Sequence, residues 1–329
     1  MKKEKISFLR SIGGKIMLIT ALIVLFSIGV VTVLSVLQSS GALMESSYSQ
    51  LTGMREVKRE QLAVYTDSQH SEMDFVTETV EILQDEAFQL LEAAHDLKKG
   101  NVERYFQTAQ ITDEMLVPGG PVHMRINEIV GNRTSMGDTG ESYLMSKEGD
   151  RFYFRSDMTT MGNGEFVFGA DQTGVANSVE YIQRAAAGES GSKVFTDSAG
   201  RLVMVVYSPL DIPGRNWFIV TKKDFEEAIA VKLEGTDEDI FHDFMSNFGY
   251  YDIFMIHPKG EVFYSATHEA DYGTNMVDGK YADSGLGKLT REILETKSFA
   301  FADFEPYEPS GGAPAAFIGE PVLQDGEVE

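Results

Sequence analysis

The sequence contains no cysteine among its 329 residues. Disulfide bonds, thiolate metal sites and cysteine nucleophiles are therefore excluded. The absence is compatible with an oxidising compartment such as the periplasm, but it does not demonstrate one.

Basic residues are also scarce, because 28 Lys and Arg stand against 51 Asp and Glu, for a formal net charge of −23. The first 15 residues reverse this sign, since they carry five cations against Glu4 alone. An acidic surface repels nucleic acid and anionic lipid headgroups, so we expect neither to bind the folded part. Hydrophobic residues make up 43% of the chain, which is typical of a folded protein.

One apolar run is long enough to cross a membrane. From Ile16 to Gln38 the sequence reads IMLITALIVLFSIGVVTVLSVLQ, and no charged residue follows until Glu45. About 20 apolar residues span the hydrocarbon core of a bilayer. The cationic flank before the run predicts a cytoplasmic N-terminus, with everything after residue 38 outside. A cleaved signal peptide is the alternative, but its apolar region would be only about 7–15 residues long.

Residues 43–110 contain no proline and only Gly53 before Gly100. Apolar residues recur there at three- and four-residue steps, which predicts one long amphipathic helix with possible breaks near Gly53 and Ser68. Lys98-Lys99-Gly100 predicts its C-terminus, because cations favour a last turn and glycine often follows it. Such a helix could be a stalk and homodimerisation element, or it could pack only on its own domain. The recurring apolar residues are Leu62, Tyr65, Met73, Val76, Val80, Leu83, Ala87, Leu90 and Leu91.

From about residue 117, short β-type runs alternate with turn residues. The first module is predicted to contain a helix at 124–130, strands at 141–145 and 151–155, a helix at 170–188, strands at 191–196, 202–209 and 217–222, and a helix at 224–233. The second is predicted to contain a helix at 238–248, strands at 251–257 and 261–266, a helix at 284–296, and strands at 299–307 and 313–321. This order predicts an α+β fold, with antiparallel sheets that carry helices on one face.

The predicted organisation has five parts. They are a cytoplasmic segment at 1–15, a transmembrane helix at 16–38, a helical stalk at 39–116, a first module at 117–233 and a second module at 234–329. A further strand is expected after Asp325-Gly326. The second module therefore looks truncated at its C-terminal edge, and we expect the chain to be a piece of a longer protein.

Two sets of strings in these modules are distinctive. The first set is Asn132-Arg133-Thr134, the TGESYL of 139–144, Arg155-Ser156-Asp157, the VYSPL of 206–210 and Asn216-Trp217. The second set is the YYDIF of 250–254, the DYGTN of 271–275, Asp303-Phe304, the YEPS of 307–310 and the PAAF of 314–317. Together with the N-terminal anchor, these strings resemble the double Cache sensor region of bacterial methyl-accepting chemotaxis proteins over most of the chain.

The resemblance implies PAS-like folds in the periplasm, a small-molecule ligand, and signalling across the inner membrane in chemotaxis. The chain departs from the family in two ways: the YYD and TGESY blocks occur in reversed order, and the Arg-x-Trp-Tyr signature of amino-acid-binding relatives is absent. Amino-acid recognition therefore has no support. Two alternatives stay open, namely the sensor region of a histidine kinase or diguanylate cyclase, and an ectodomain that binds a protein partner without a small ligand.

A ligand pocket in such modules needs aromatic walls and a few convergent polar groups. The candidates in the first module are Tyr143, Tyr153, Arg155, Asp157 and Tyr207. Arg155 could clamp a carboxylate through two hydrogen bonds, and Asp157 could accept from an amine. The competing interpretation is an internal Arg155–Asp157 pair or a turn cap.

The candidates in the second module are Tyr251, Asp252, Tyr264, Asp271, Asn275 and Tyr307. Asp271 is equally well explained by the chemistry of a turn. Tyr251 and Asp252 are adjacent on a predicted strand, so only one of them can face a pocket.

Signals for catalysis are poor. The GESGS of 188–192 lacks the glycine spacing of a nucleophile elbow, and His268-Glu269 has no second histidine at helical spacing. The acidic residues around His242 favour a helix N-terminus over a metal site. We therefore expect a sensor that is not an enzyme and needs no metal or cofactor. Its expected ligand is a small polar metabolite such as a carboxylate.

Overall fold

The computed structural model describes residues 12–134, 136–160, 165–233, 235–236, 238–324 and 326–328. The chain divides into two units, Met1–His70 and Ser71–Glu329. Most of the predicted cytoplasmic segment, residues 1–11, lies outside the described residues, as does Asp237 in the acidic stretch near His242.

The described part of the first unit is helical. Helix α1 begins at Ile12 and ends at Thr108, so it continues into the second unit. Its segment Ile12–Ser35 has 24 residues, a mean hydropathy of 2.8 and exposed side chains. This segment is long and apolar enough to cross a bilayer. The helix passes both Gly53 and Ser68 without a break.

The predicted helix end at Lys98–Gly100 is wrong, because α1 continues to Thr108. Lys98 does not cap the end of a helix. Its ammonium points into the module and donates to the carbonyl of Val130 at 3.0 Å. Val102 lies beyond Gly100 and is fully buried. Burial of this last turn against the domain therefore outweighs the weak helix propensity of glycine, which costs about 1 kcal/mol.

The first module is built on a five-stranded antiparallel sheet with the strand order β2-β1-β5-β4-β3. Its strands are β1 (Glu141–Glu148), β2 (Arg151–Phe154), β3 (Gly191–Thr196), β4 (Leu202–Pro209) and β5 (Trp217–Asp224). Its helices are α2 (Pro121–Val130), α3 (Thr173–Ala176), α4 (Glu180–Ala186) and α5 (Phe225–Ile229). The five predicted strands are confirmed. The single helix predicted at 170–188 is two short ones, separated where Val179 is extended and buried.

Helices cover both faces of this sheet, rather than one face as predicted. The first six residues of β1 are all buried, so each face needs a cover. On the first face, Leu144 and Ile219 pack with Val102 of α1 and Ile126 of α2. On the second face, side chains of β1, β4 and β5 pack with α3 and α4. They are Tyr143, Met145, Val203, Val205, Tyr207, Phe218 and Val220. We call these the helix α1 face and the aromatic face.

The second module contains two helices and three short ribbons. Its elements are α6 (Ile240–Phe248), β6 (Phe254–Ile256), β7 (Val262–Ser265), α7 (Gly285–Thr296), β8 (Ala300–Tyr307), β9 (Ala313–Gly319), β10 (Leu323–Gln324) and β11 (Glu327–Val328). Among the described residues, the strands pair as separate two-stranded ribbons, β6-β7, β8-β9 and β10-β11, and not as one sheet. A small core nevertheless joins the first two ribbons, since Phe254 and Val262 pack in one cluster with Tyr307 and Phe317.

Candidate functional site

The five candidate residues of the first module lie on both faces of the sheet. Tyr143 and Tyr207 belong to the aromatic face. Tyr153 and Arg155 point to the helix α1 face, where the Arg155 guanidinium lies 5.4 Å from the centre of the Trp217 ring. The sequence interpretation that these side chains converge on one pocket is therefore corrected. The cause is the alternation of side chains along β2, which sends Tyr153 and Arg155 to the side opposite Phe152 and Phe154.

The competing interpretation offered an internal Arg155–Asp157 pair or a turn cap, and each of these two residues has other partners. Arg155 pairs with Glu148 and donates to the hydroxyl of Ser146. The Asp157 carboxylate accepts from Asn127 of α2 at 2.7 Å. Asp157 therefore fixes the segment after β2 to helix α2, which is a structural role.

In the second module, Asp271 and Tyr307 meet in the core. The Tyr307 hydroxyl donates to Asp271 Oδ2 at 2.6 Å, and both side chains are buried. Burial raises the pKa of Asp271 above its ordinary value. Its second oxygen, Oδ1, accepts no hydrogen bond from the residues that the structure describes.

The other four candidates of the second module stabilise local structure. Tyr264 is buried and donates to the carboxylate of Asp239. Asp252 accepts from the hydroxyls of Ser265 and Thr267. The Asn275 side chain closes a turn, because its amide donates to the carbonyl of residue 259 and its oxygen accepts from the backbone at 277 and 278. Tyr251 is 67% exposed on the surface. Of the six candidates in the second module, all of which the structure describes, only Asp271 and Tyr307 are hydrogen-bonded to each other through their side chains.

Sequence reasoning missed a buried charged cluster on the aromatic face. Glu141 lies directly opposite Lys222 in the register of β1 and β5. The Lys222 ammonium is 3.9 Å from Glu141 Oε1 and 3.8 Å from Asp197 Oδ2. The three side chains are only 2%, 7% and 2% exposed, for Glu141, Lys222 and Asp197 in turn. A signal was present in the sequence, since Glu141 precedes the predicted pocket residue Tyr143 by two positions and shares its face.

Two tyrosine hydroxyls lie beside this cluster. Burial is the main cause that raises the pKa of Tyr143 far above its ordinary value, and the nearby Tyr181, Glu141 and Asp197 raise it further. Burial also raises the pKa of Tyr181 to about 12. Both hydroxyls therefore stay protonated at neutral pH, and they are hydrogen-bonded to each other.

The helix α1 face carries a second buried polar cluster, at the next position along the same two strands. The hydroxyls of Ser142 and Thr221 are 2.8 Å apart. His95 of α1 contacts Thr221 Oγ1 at 3.1 Å and Ser208 Oγ at 2.8 Å. The Lys98 ammonium donates to Ser142 Oγ at 3.0 Å. Helix α1 is thus hydrogen-bonded to three strands of the sheet, β1, β4 and β5.

Burial lowers the pKa of both α1 side chains in this second cluster. The pKa of His95 falls to about 4 and that of Lys98 to about 8. His95 is therefore neutral at pH 7, with each ring nitrogen close to one hydroxyl.

Part of the string that carries the family resemblance has a structural explanation. Thr139 donates to Glu227 of α5 through both its backbone N–H and its hydroxyl. Arg133 Nε donates to the carbonyl of Gly140 at 2.8 Å. A side chain at Gly140 would meet the Met136 carbonyl, since an added Cβ would lie 2.1 Å from that oxygen. These contacts fix the loop that leads into β1.

No protein-family model and no curated protein matches the chain. Among solved structures, the chain is similar to the ligand-binding domain of the Campylobacter jejuni chemoreceptor Tlp3 in complex with L-valine, with 9% identity, coverage of 72% of this chain and 86% of that one, and a TM-score of 0.39. It is also similar to the extracellular domain of mmHK1S-Z3, assigned as a histidine kinase, with 14% identity, coverage of 79% and 90%, and a TM-score of 0.41.

A third similar structure is an extracellular ligand binding receptor from Desulfohalobium retbaense, with 11% identity, coverage of 76% of this chain and 37% of that one, and a TM-score of 0.38. By name, two of these three structures are ligand-binding proteins, and the other is the extracellular domain of a kinase.

Proposed function

We propose that this chain is the extracytoplasmic ligand-sensing region of a transmembrane receptor. One observation carries the proposal. Adjacent cross-strand pairs of β1 and β5 face opposite sides of the sheet. The pair Glu141–Lys222 lies on the aromatic face, and the pair Ser142–Thr221 is hydrogen-bonded to α1. A ligand that acts on the first pair therefore acts one residue away from the contacts that hold α1.

Helix α1 is the element that would receive the signal. It is one continuous helix that includes the apolar segment Ile12–Ser35. A ligand produces a signal only if it binds one conformation better than another. Shifts of helices by about 1–2 Å are a common form of such a response. The buried hydroxyl contacts of His95 and Lys98 are the hydrogen bonds through which a change in the sheet would act on the position of α1.

The cellular setting follows from the charge and the apolar segment. The cations of the first 15 residues support a cytoplasmic N-terminus in the bacterial inner membrane, with the modules on the periplasmic side. The resemblance to methyl-accepting chemotaxis proteins favours a chemoreceptor over a histidine kinase or a diguanylate cyclase. In this role the region is a sensor without catalytic activity, metal or cofactor.

We propose that the receptor is a homodimer through α1. Along the part of α1 in the second unit, Phe75, Ile82, Leu90 and Leu97 are 57%, 52%, 67% and 67% exposed. Their spacing of seven and eight residues places them along one side of the helix. A second copy of this helix would bury the stripe.

A thermal unfolding screen of the full chain in lipid nanodiscs tests the sensor function. Trp217 is the only tryptophan, and it is 3% exposed in the first module. Its fluorescence therefore reports the unfolding of that module directly. We expect one class of small polar molecules to raise the midpoint in a concentration-dependent way. If no small acid, amine or polyol raises it, the chain is not a small-molecule sensor of this kind.

A specific observation favours one second candidate, an ectodomain that recognises a protein partner. The aromatic face is filled by its own side chains, with ring centres 5.4 Å apart for Tyr143 and Phe154 and also for Tyr181 and Phe195. A face packed in this way leaves little room for a ligand unless it opens. Stabilisation by a small molecule in the same screen would rule against this candidate.

A further inference from the structure

We propose that Glu141, Asp197 and Lys222 form a binding site for a small molecule that carries a primary ammonium group. The inference rests on the proposed sensor function and names the chemical class of its ligand. It differs from the carboxylate expected from the sequence, because Arg155, the predicted carboxylate clamp, lies on the other face and already has partners.

The first support is the balance of charge on the aromatic face. The ion-paired cluster contains three carboxylates, Glu141, Asp197 and Asp224, and two cations, Lys222 and Arg201. Arg201 already binds two of these carboxylates, at 3.1 Å and 2.9 Å, and is half exposed. Among these five side chains the carboxylates outnumber the cations by one, and an incompletely matched charge in a largely buried cluster is costly. A monocationic ligand would complete the set.

The second support is an unused acceptor. Glu141 Oε1 accepts no hydrogen bond from the described residues, although Glu141 is only 1% exposed. The Lys222 ammonium at 3.9 Å is beyond hydrogen-bonding distance. The other oxygen, Oε2, receives the backbone N–H of Thr160 at a long 3.3 Å. Buried acceptors are nearly always paired, and a primary ammonium has three N–H donors to offer.

The same geometry disfavours other ligand classes. An anionic ligand would bring negative charge close to two buried carboxylates. A metal ion at Glu141 and Asp197 would have to displace the Lys222 ammonium, which lies 3.9 Å from one carboxylate and 3.8 Å from the other. When the aromatic face opens, an ammonium can instead donate to Glu141 Oε1, the oxygen that Lys222 does not reach with a hydrogen bond. The hydroxyls of Tyr143 and Tyr181, which are hydrogen-bonded to each other, lie on the same face.

The test uses the full chain in nanodiscs and four small probes that differ mainly in charge. Ethanolamine and 1-propylamine each carry one ammonium group, ethylene glycol is the neutral analogue of ethanolamine, and glycolate is an anionic analogue. The readouts are the Trp217 unfolding midpoint and titration calorimetry. We expect the two amines to bind and to raise the midpoint, while ethylene glycol and glycolate have no effect.

Three variants locate the site. Glu141→Gln keeps the shape but removes the charge, so we expect amine binding to weaken by about tenfold or more. Asp197→Asn is the second variant, in case Glu141→Gln does not fold. Glu180→Gln is the matched control, since Glu180 lies on α4 of the same module and its side chain is 62% exposed. We expect the control to bind the amines as the unchanged chain does.

The outcomes separate the inference from the proposed function. Equal amine binding by the unchanged chain, Glu141→Gln and Asp197→Asn overturns the site. Binding of glycolate, lost in Lys222→Met, overturns the ammonium class but leaves the sensor function standing, as does stabilisation by calcium chloride alone. If neither the four probes nor a wider screen of small polar molecules stabilises the chain, the inference and the proposed function both fail.

Discussion

The hydroxyls of Ser142 and Thr221 lie 2.8 Å apart across β1 and β5, and both are bonded to side chains of α1. On β1, Glu141 directly precedes Ser142, and on β5, Lys222 directly follows Thr221, so the buried pair Glu141–Lys222 is next to the hydroxyl pair. Because neighbouring side chains of a strand face opposite ways, a small change in the register or spacing of β1 and β5 alters both pairs together. The sheet therefore connects its aromatic face to α1 without any intermediate element.

Thr221→Val should destabilise the first module. The valine has nearly the same shape but leaves His95 Nδ1 without its hydroxyl partner in a buried place. An unsatisfied buried polar group costs about 1–3 kcal/mol in the free energy of unfolding. Urea unfolding followed by Trp217 fluorescence measures this change. Thr296→Val is the control, because Thr296 is exposed and its hydroxyl bonds to groups nearby in the chain, the Glu292 carbonyl and the Ser298 hydroxyl. Equal stability of the two variants would contradict this role of Thr221.

We expect the free energy of unfolding of the first module to decrease in acid because of His95. Burial is the main cause that lowers its pKa from 6.5 to about 4, while the nearby Asp96 raises it and Lys99 and Lys98 lower it. Between these values the unfolded chain binds a proton that the folded chain does not. The contribution of neutral His95 to the free energy of unfolding is therefore fully present above about pH 6.5. It is lost as the pH falls toward 4, and the loss amounts to about 3 kcal/mol.

His95→Gln isolates this effect, because the amide can still bond to both hydroxyls but does not titrate. Unfolding free energies of the two proteins are compared from pH 7 to pH 4. We expect the unchanged chain to lose more stability than the variant across this range. Parallel curves would show that His95 is not the group responsible.

Lys98 should produce a second rise of stability at alkaline pH. Burial is the main cause that lowers its pKa from 10.5 to about 8, with Arg133 acting in the same direction and Glu141 against it. The unfolded chain then binds more protons between about pH 8 and 10.5, so the free energy of unfolding rises over this range by about 2 to 3 kcal/mol. Lys98→Met should flatten this rise. Lys193→Met, at an exposed position of β3, should keep it.

Local chemistry explains why some elements could be predicted to the residue. The strands predicted at 191–196 and 202–209 coincide with β3 and β4. The turn between them has its own signals, since the Asp197 carboxylate accepts from the backbone of Ala199 and Arg201, and Gly200 has a φ of +86°. Such a turn is encoded within five residues and needs no distant contact.

The parts that could not be predicted depend on contacts between distant residues. The end of α1 was misplaced because Lys98 bonds to Val130 and Ser142, which no local pattern reveals. The Glu141–Lys222 pair exists only through the register of β1 and β5. Arg155 looked like a ligand clamp for the same reason, since its contacts with Ser146 and Trp217 are set by strand pairing. Sequence patterns therefore predicted the positions of the strands better than they predicted which face of the sheet each side chain would occupy.

Tyr307→Phe, which removes the hydroxyl, should lower the free energy of unfolding more than Asp271→Asn, which removes the charge of its hydrogen-bond partner. In Tyr307→Phe, the buried Asp271 loses its 2.6 Å hydrogen bond, and its other oxygen accepts none from the part of the chain that the structure describes. A hydrogen bond to a charged group contributes about 1.5–3 kcal/mol. Asp271→Asn keeps an acceptor for Tyr307 and removes a buried carboxylate whose pKa is raised by burial. Urea unfolding of both variants and of the double variant gives the interaction free energy between Tyr307 and Asp271. A larger loss in Asp271→Asn would contradict this order.

A single introduced cysteine should reveal the dimer proposed for α1. Because the chain contains no cysteine, the thiol of Leu90→Cys would be unique. Leu90 is 67% exposed on the stripe with Phe75, Ile82 and Leu97. A disulfide forms only when two Cα atoms come within about 7 Å, so two copies of Cys at this position can join only if the stripes face each other. We expect a covalent dimer on mild oxidation of membranes that carry the full chain, resolved on a non-reducing gel.

Glu81→Cys is the matched control for this cross-link. Glu81 is exposed on the same helix but lies about 180° around it from Leu90 and at least about 100° from every other residue of the stripe. A dimer through the stripe keeps the two Glu81 positions apart, so this variant should stay monomeric on the gel. Random collisions in the membrane would instead cross-link both variants to the same extent, because both thiols are exposed. Equal cross-linking would therefore refute the α1 dimer, whereas cross-linking of Leu90→Cys alone can only come from a fixed pairing of the two helices.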